Sequence, residues 1–176
     1  MRKIPNEELN RLDIDEFKKT EKNSFVVVLD NVRSMNNVGS VFRTSDAFFC
    51  EKIYLCGITP KPPHRDIQKT ALGATESVDW EYFSSTNEAI DLLKKDGFTV
   101  VSIEQVEKST LLHDFLPKKT EKYAFVFGHE VSGVEQEIVD KSDFCIEIPQ
   151  FGTKHSLNIS VSCGVVIWDY VSKSMT

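Results

Sequence analysis

Phe25-Val26-Val27-Val28-Leu29-Asp30 is the stretch that decides the fold. A strand with one wet face alternates apolar and polar residues, whereas this run is apolar up to its last residue. It therefore reads as a strand buried on both faces, the kind that occupies the middle of a parallel sheet. The flanks supply helices to cover it. Val38 to Phe49 has helical spacing, and Lys52-Ile53-Tyr54-Leu55-Cys56-Gly57 is a second strand. Residues 59–65, with three prolines, form a loop, and a short helix over Ile67–Leu72 follows. Further on, Thr86–Lys95 is a helix closed by Gly97, and Phe98–Ile103 is a strand. Tyr123–Gly128 is another strand, Val134–Asp140 a short helix, and Phe144–Ile148 a further strand. Strands separated by helical stretches predict an α/β fold: a mostly parallel sheet with helices on both faces.

Two ends of the chain read differently. The segment up to about Lys22 is charged and helical in pattern. Asp13-x-x-Glu16 matches a capping box, and Leu9, Leu12 and Phe17 can share an apolar face. Residues 1–24 are thus expected to form an N-terminal helical extension to a single domain over 25–176. Residues 157–170 are rich in β-branched types, which favours a strand. Their length, with Ser156 available as an N-cap, favours a buried helix instead, and the residues alone leave both open with the helix ahead.

Composition narrows the function classes. With 40% hydrophobic and 27% charged residues among 176, the chain is an ordinary globular protein. No apolar run approaches the ~20 residues needed to span a bilayer, and the first residues lead into acidic and polar types rather than an apolar secretion segment. The cytoplasm is the expected compartment. Cys50, Cys56, Cys145 and Cys163 form no C-x-x-C and read as buried thiols. His64, His113, His129 and His155 lack metal-ligand spacing, so no metal is expected. The formal net charge of −6 argues against a protein that coats nucleic acid indiscriminately; an RNA substrate would need a local basic patch. Neither G-x-G-x-x-G after a strand nor G-x-x-x-x-G-K-[ST] occurs, which sets aside dinucleotide-binding and P-loop domains.

Ligands of open parallel sheets bind at the carboxyl ends of strands. Three loops leave such ends carrying glycine, amide, hydroxyl and charged groups: 31–43, 128–133 and 149–158. Taken singly, each has an ordinary structural reading. Asn36-Asn37 before a helix is a cap and turn, Arg43 a solvated side chain, Gly128-x-Glu130 a turn with a surface carboxylate, and Ser156-x-Asn158 a cap.

Taken together, the loops resemble the three motifs of the SpoU/TrmH branch of the SPOUT methyltransferases. Asn37 followed by Arg43 looks like the first motif and Gly128-His129-Glu130 like the second, with His129 a departure from the usual small or amide residue. Ile148-Pro149, Gly152, Ser156-Leu157-Asn158 and Ser160-Val161 look like the third and most specific. The resemblance implies an RNA 2′-O-ribose methyltransferase acting on tRNA or rRNA, a deep C-terminal trefoil knot and a homodimer. S-adenosylmethionine would be held near Ile103, Glu104, Gly128, Ile148 and Leu157, with Gly128 leaving room for its close approach. Arg43 would be catalytic, often acting across the dimer interface in this family, with Asn37 and Ser156 orienting the ribose or the arginine. Glu130 and Asn158 would hold the motifs together. Candidate RNA phosphate contacts are Arg33, Lys61, His64, Arg65, Lys69, Lys154 and His155. The rival readings are a non-catalytic RNA-binding or ribosome-assembly factor on the same fold and an enzyme using the pocket for another small molecule.

Overall fold

The computed structural model describes residues 1–175. Seven strands, β1 (Asn23–Asp30), β2 (Cys50–Cys56), β3 (Trp80–Phe83), β4 (Phe98–Ile103), β5 (Thr110–Leu111), β6 (Lys122–Phe127) and β7 (Phe144–Glu147), make one sheet in the order β3-β2-β1-β6-β4-β7-β5. Every pairing between them is parallel.

The decisive run behaves as its composition requires. On β1, Phe25, Val27 and Leu29 face one apolar core, while Val26 and Val28 face a second core on the opposite side of the sheet. The helices divide accordingly. α2 (Met35–Ala47), α3 (Arg65–Ala71), α4 (Ala74–Ser77) and α7 (Ile159–Ser174) cover the first face, and α5 (Thr86–Lys95) and α6 (Gln136–Lys141) the second. α1 (Ile14–Lys19) adds Phe17 to the first core, where its ring stacks on Phe49 at 5.2 Å.

Caps mark where helices begin. Asp13 and Glu16 form the expected capping box of α1, but Leu9 and Leu12 stay exposed, so Phe17 alone carries the apolar face. The cap of α2 is Ser34, which accepts the Asn37 N–H at 3.3 Å; Asn36 and Asn37 already lie in the first turn. The segment over 157–170 resolves as helix from Ile159 onward. Ile159, Cys163, Val166, Ile167 and Tyr170 recur at helical spacing against the sheet, and that burial outweighs their β propensity. The N-cap is Asn158, accepting the Ser160 N–H at 2.9 Å, rather than Ser156. Two strands escaped the sequence reading, β3 and β5; both sit at sheet edges, where burial is partial and the apolar signal weak.

The four cysteines are free and buried. Burial pushes the thiols of Cys50 and Cys56 up to about 12, which keeps them protonated and unreactive. No helix among the described residues is long and apolar enough to cross a membrane.

Candidate functional site

Because all the strands run the same way, the chain leaves β1, β6, β4 and β7 at one edge of the sheet, and these four are consecutive in the strand order. The loops that follow β6, β4 and β7 enclose a cavity of about 590 Å³, within the range of a small-molecule site. All five residues expected at a cofactor line it: Ile103, Glu104, Gly128, Ile148 and Leu157. Glu130, His155, Ser156 and Asn158 line it as well. So do His129, noted in the sequence only as a departure within the second motif, and Gln105 and Gln150, whose only signal was adjacency to the motif residues.

Two of these residues have duties beyond lining. The Glu104 carboxylate accepts the Val134 N–H at 3.0 Å and the Gln105 N–H at 2.8 Å, which fixes the far end of the 128–134 loop. Gly128 also meets a constraint from its own loop. A Cβ there would lie 2.1 Å from the Gly133 carbonyl carbon and the Val134 nitrogen, so the loop's own return, closed by the His129–Gly133 bridge, fills the space. The absent side chain admits backbone.

A hydrogen-bond chain then joins the three loops. Glu130 accepts from the Arg33 N–H at 3.0 Å, the Ser34 N–H at 2.8 Å and the Asn37 side-chain amide at 3.1 Å. The Asn37 carbonyl oxygen accepts from Asn158 at 3.1 Å, and the Asn158 carbonyl oxygen in turn accepts from the Ser160 N–H and hydroxyl. Both ends of the Asn37 amide are therefore engaged, and Asn37 is only 8% exposed. Its neighbours place it with Glu130 and Asn158 in the scaffold. Ser156, in contrast, is exposed at the cavity with no hydrogen-bond partner among the described residues.

Burial alone would raise the Glu130 carboxyl; the Arg33 and Ser34 backbone donors and the Asn37 amide outweigh it and hold the group below the usual carboxylate range. A depressed native value means that the stabilisation is complete above the unfolded value, near 4.3, and is lost as pH falls through the native one. Glu130→Gln is expected to lower neutral-pH stability by about 1–2 kcal/mol. It should also flatten the dependence of the urea midpoint on pH below about 4.3. An acid limb as steep as wild type would show that the network does not depend on this charge.

Arg43 stands apart. It projects from α2 into a second cavity, of about 420 Å³, lined by the N-terminal segment, the end of α2 and the α3–α4 junction. Nor do Arg33, Lys61, His64, Arg65, Lys69 and Lys154 line the first cavity, though all are exposed. Lys61 lies 3.9 Å over the Tyr82 ring, and His64 caps α3 by accepting the Asp66 N–H at 3.2 Å. Among the described residues no group of three or more His, Cys, Asp or Glu could hold a metal ion.

Residues 24–168 match the SpoU rRNA Methylase family. The chain is 30% identical over 172 residues to the 23S rRNA (guanosine-2′-O-)-methyltransferase RlmB of Coxiella burnetii, covering 93% of this chain and 66% of that protein. Against the Neisseria meningitidis serogroup B protein of the same name it is 32% identical over 148 residues, covering 81% and 56%. It thus spans about two thirds or less of the length of these relatives. Among solved structures it resembles the A. aeolicus TrmH/SpoU tRNA modifying enzyme, with a TM-score of 0.79 at 26% identity over 90% of this chain and 79% of that one. The fold is also that of an AdoMet-bound rRNA methyltransferase from Sinorhizobium meliloti, with a TM-score of 0.78 at 24% identity over 85% and 56%.

Proposed function

Because the chain belongs to the SpoU rRNA methylase family, we propose that it transfers a methyl group from S-adenosylmethionine to a ribose 2′-hydroxyl of tRNA or rRNA. The observation that carries this reading is the single cavity into which the ends of β4, β6 and β7 converge. Its chemistry fits the methyl donor: Ile103, Phe127, Ile148 and Leu157 supply apolar wall for an adenine, and the loop backbones between them supply donors and acceptors. When bound, the cofactor supplies an electrophilic methyl on a sulfonium. The protein's part is to hold the acceptor hydroxyl in line and to stabilise the negative charge that develops on its oxygen.

Arg43 serves that charge. A guanidinium is not a proton acceptor, so the arginine acts electrostatically: it binds the target phosphate, which accepts the 2′-hydroxyl proton, and stabilises the emerging alkoxide. Since Arg43 lines a different cavity from the cofactor residues of its own chain, it serves the site of a second copy, and the active species is a homodimer. The outer face of α7 supports this. Val161, Val165 and Trp168, at helical spacing, are 51%, 38% and 56% exposed, and a Cβ at neighbouring Gly164 would meet open space. Ser156 faces the cavity free to orient the ribose, while Asn37, Glu130 and Asn158 hold the three loops in register.

The strand order supports a C-terminal trefoil knot, a rarity among folds. β7 enters between β4 and β5 although those two are consecutive in sequence, and the segment leaving it is tied to the β4–β5 connection where Gln105 donates to the His155 carbonyl at 2.8 Å. Residues 25–176 would form the methyltransferase domain, with 1–24 an extension carrying α1. The 2′-hydroxyl as acceptor makes RNA rather than DNA the substrate, and the cytoplasm is where such RNA is met. Arg33, Lys61, Arg65, Lys69, Lys154, His64 and His155 are the cationic or polar groups available to its phosphates.

Two measurements test the reading. Titration calorimetry is expected to show one S-adenosylmethionine per chain, and ribose-methylation mapping of RNA from a deletion strain should reveal a missing 2′-O-methyl group. Absence of cofactor binding would favour a non-catalytic RNA-binding factor on the same fold.

A further inference from the structure

The second cavity contains more than Arg43. Residues 10–14 of the N-terminal segment form one wall, Arg43, Asp46 and Phe49 another, and Leu72 to Ala74 at the α3–α4 junction a third. Two guanidiniums therefore share it, Arg11 and Arg43, and neither has a hydrogen-bond or ion-pair partner among the described residues. The carboxylates nearby already have donors: Asp13 accepts the Glu16 N–H at 2.8 Å, and Asp46 accepts the Ser77 hydroxyl. Leu12, Phe49, Ala71 and Leu72 give the rest of the lining an apolar character.

Two unpaired arginine forks above apolar wall match a sugar–phosphate segment better than any neutral ligand. Each fork can take two phosphate oxygens, and the wall can take a sugar or base. On a chain of net charge −6, such a pair is also a local attractor for an anion. We infer that this cavity receives the RNA backbone beside the target ribose and that Arg11 is a second phosphate ligand next to Arg43. This rests on the proposed methyl transfer and gives the N-terminal segment a task in it: gripping substrate. A contact made equally before and during reaction governs RNA affinity, so its loss falls on KM for RNA rather than on kcat.

The test uses the full chain with Arg11→Ala, Arg11→Lys and, as comparison, Arg2→Ala, whose guanidinium is already paired with Glu8 at 2.7 Å. The probe is bulk tRNA and rRNA from a deletion strain, measured by filter binding across a salt series. Arg11→Ala is expected to weaken RNA binding roughly tenfold and to make the slope of log K against log salt shallower by about one. Arg11→Lys should recover part of the affinity and Arg2→Ala should match wild type. Wild-type affinity in Arg11→Ala, or an equal loss in Arg2→Ala, overturns the proposal. So does a change in sedimentation with RNA binding intact, which would make the cavity a subunit contact. Failure of wild type to bind S-adenosylmethionine would instead sink the methyl-transfer reading, while the RNA-binding comparison could still be read.

Discussion

Replacing Arg43 with alanine is expected to lower methyl transfer by roughly 10²- to 10³-fold, the effect of removing one preorganised charge from a developing oxyanion, while the fold and S-adenosylmethionine affinity survive. Survival follows from position. The side chain is exposed and makes no hydrogen bond among the described residues, and its neighbours Val41 and Phe42, not Arg43, pack into the core. Surface changes of this kind usually alter stability by no more than about 0.5 kcal/mol. The cavity proposed for the cofactor lies elsewhere, so its affinity has no reason to change. Action across the dimer adds a sharper expectation. Arg43→Ala keeps a sound cofactor cavity, and Leu157→Arg, which puts a long charged chain into that cavity, keeps a sound arginine. Mixed and re-equilibrated, two inactive proteins should recover about a quarter of wild-type activity, since half of the dimers are mixed and each has one complete site. No recovery from the mixture would place Arg43 in the site of its own chain. Equal rates for wild type and Arg43→Ala would remove it from the reaction altogether.

Gly128→Ala should have the largest effect on the fold of the site. A single methyl group placed 2.1 Å from the backbone at Gly133 and Val134 cannot be absorbed by a rotamer change, because the atoms it meets are main chain. The 128–134 loop must open, and several contacts then go together: the His129–Gly133 bridge, the Val134 bond to Glu104 and the reach of Glu130 to the start of α2. Destabilisation of about 3 kcal/mol is expected, at the upper end of overpacking, together with loss of measurable S-adenosylmethionine binding. Urea unfolding and calorimetry would show both. A variant with wild-type cofactor affinity would mean that the cavity does not need the loop folded as it is. The two substitutions thus separate chemistry from architecture: Arg43→Ala leaves a stable, cofactor-binding protein that does not react, and Gly128→Ala leaves one that no longer builds the cavity.

Much of this architecture could be read without coordinates. The strands at 25–30, 98–103 and 144–148, the helix at 86–95 and the capping box at Asp13 announce themselves through short-range patterns, and their bounds are close to those observed. Elements whose burial is partial were silent, as with β3 and β5. The helix over 159–174 could not be separated from a strand by propensity, since only contact with the sheet shows which face is buried.

The sequence alone determined an α/β chain with three polar loops at strand ends and the motif residues Asn37, Arg43, Gly128, Glu130, Ser156 and Asn158. Only tertiary structure decided what those residues do to one another. Asn37 meets Glu130 across 93 positions and Asn158 across 121, so no local pattern could reveal that its amide is spent on joining loops. The same holds for Arg43, six positions from Asn37 on one helix yet lining the second cavity with an arginine from the N-terminal segment. Periodicity and propensity report what a residue needs from its near neighbours; the partner of a polar group, and the cavity a side chain enters, are fixed only when distant segments pack and every buried donor and acceptor must find its match.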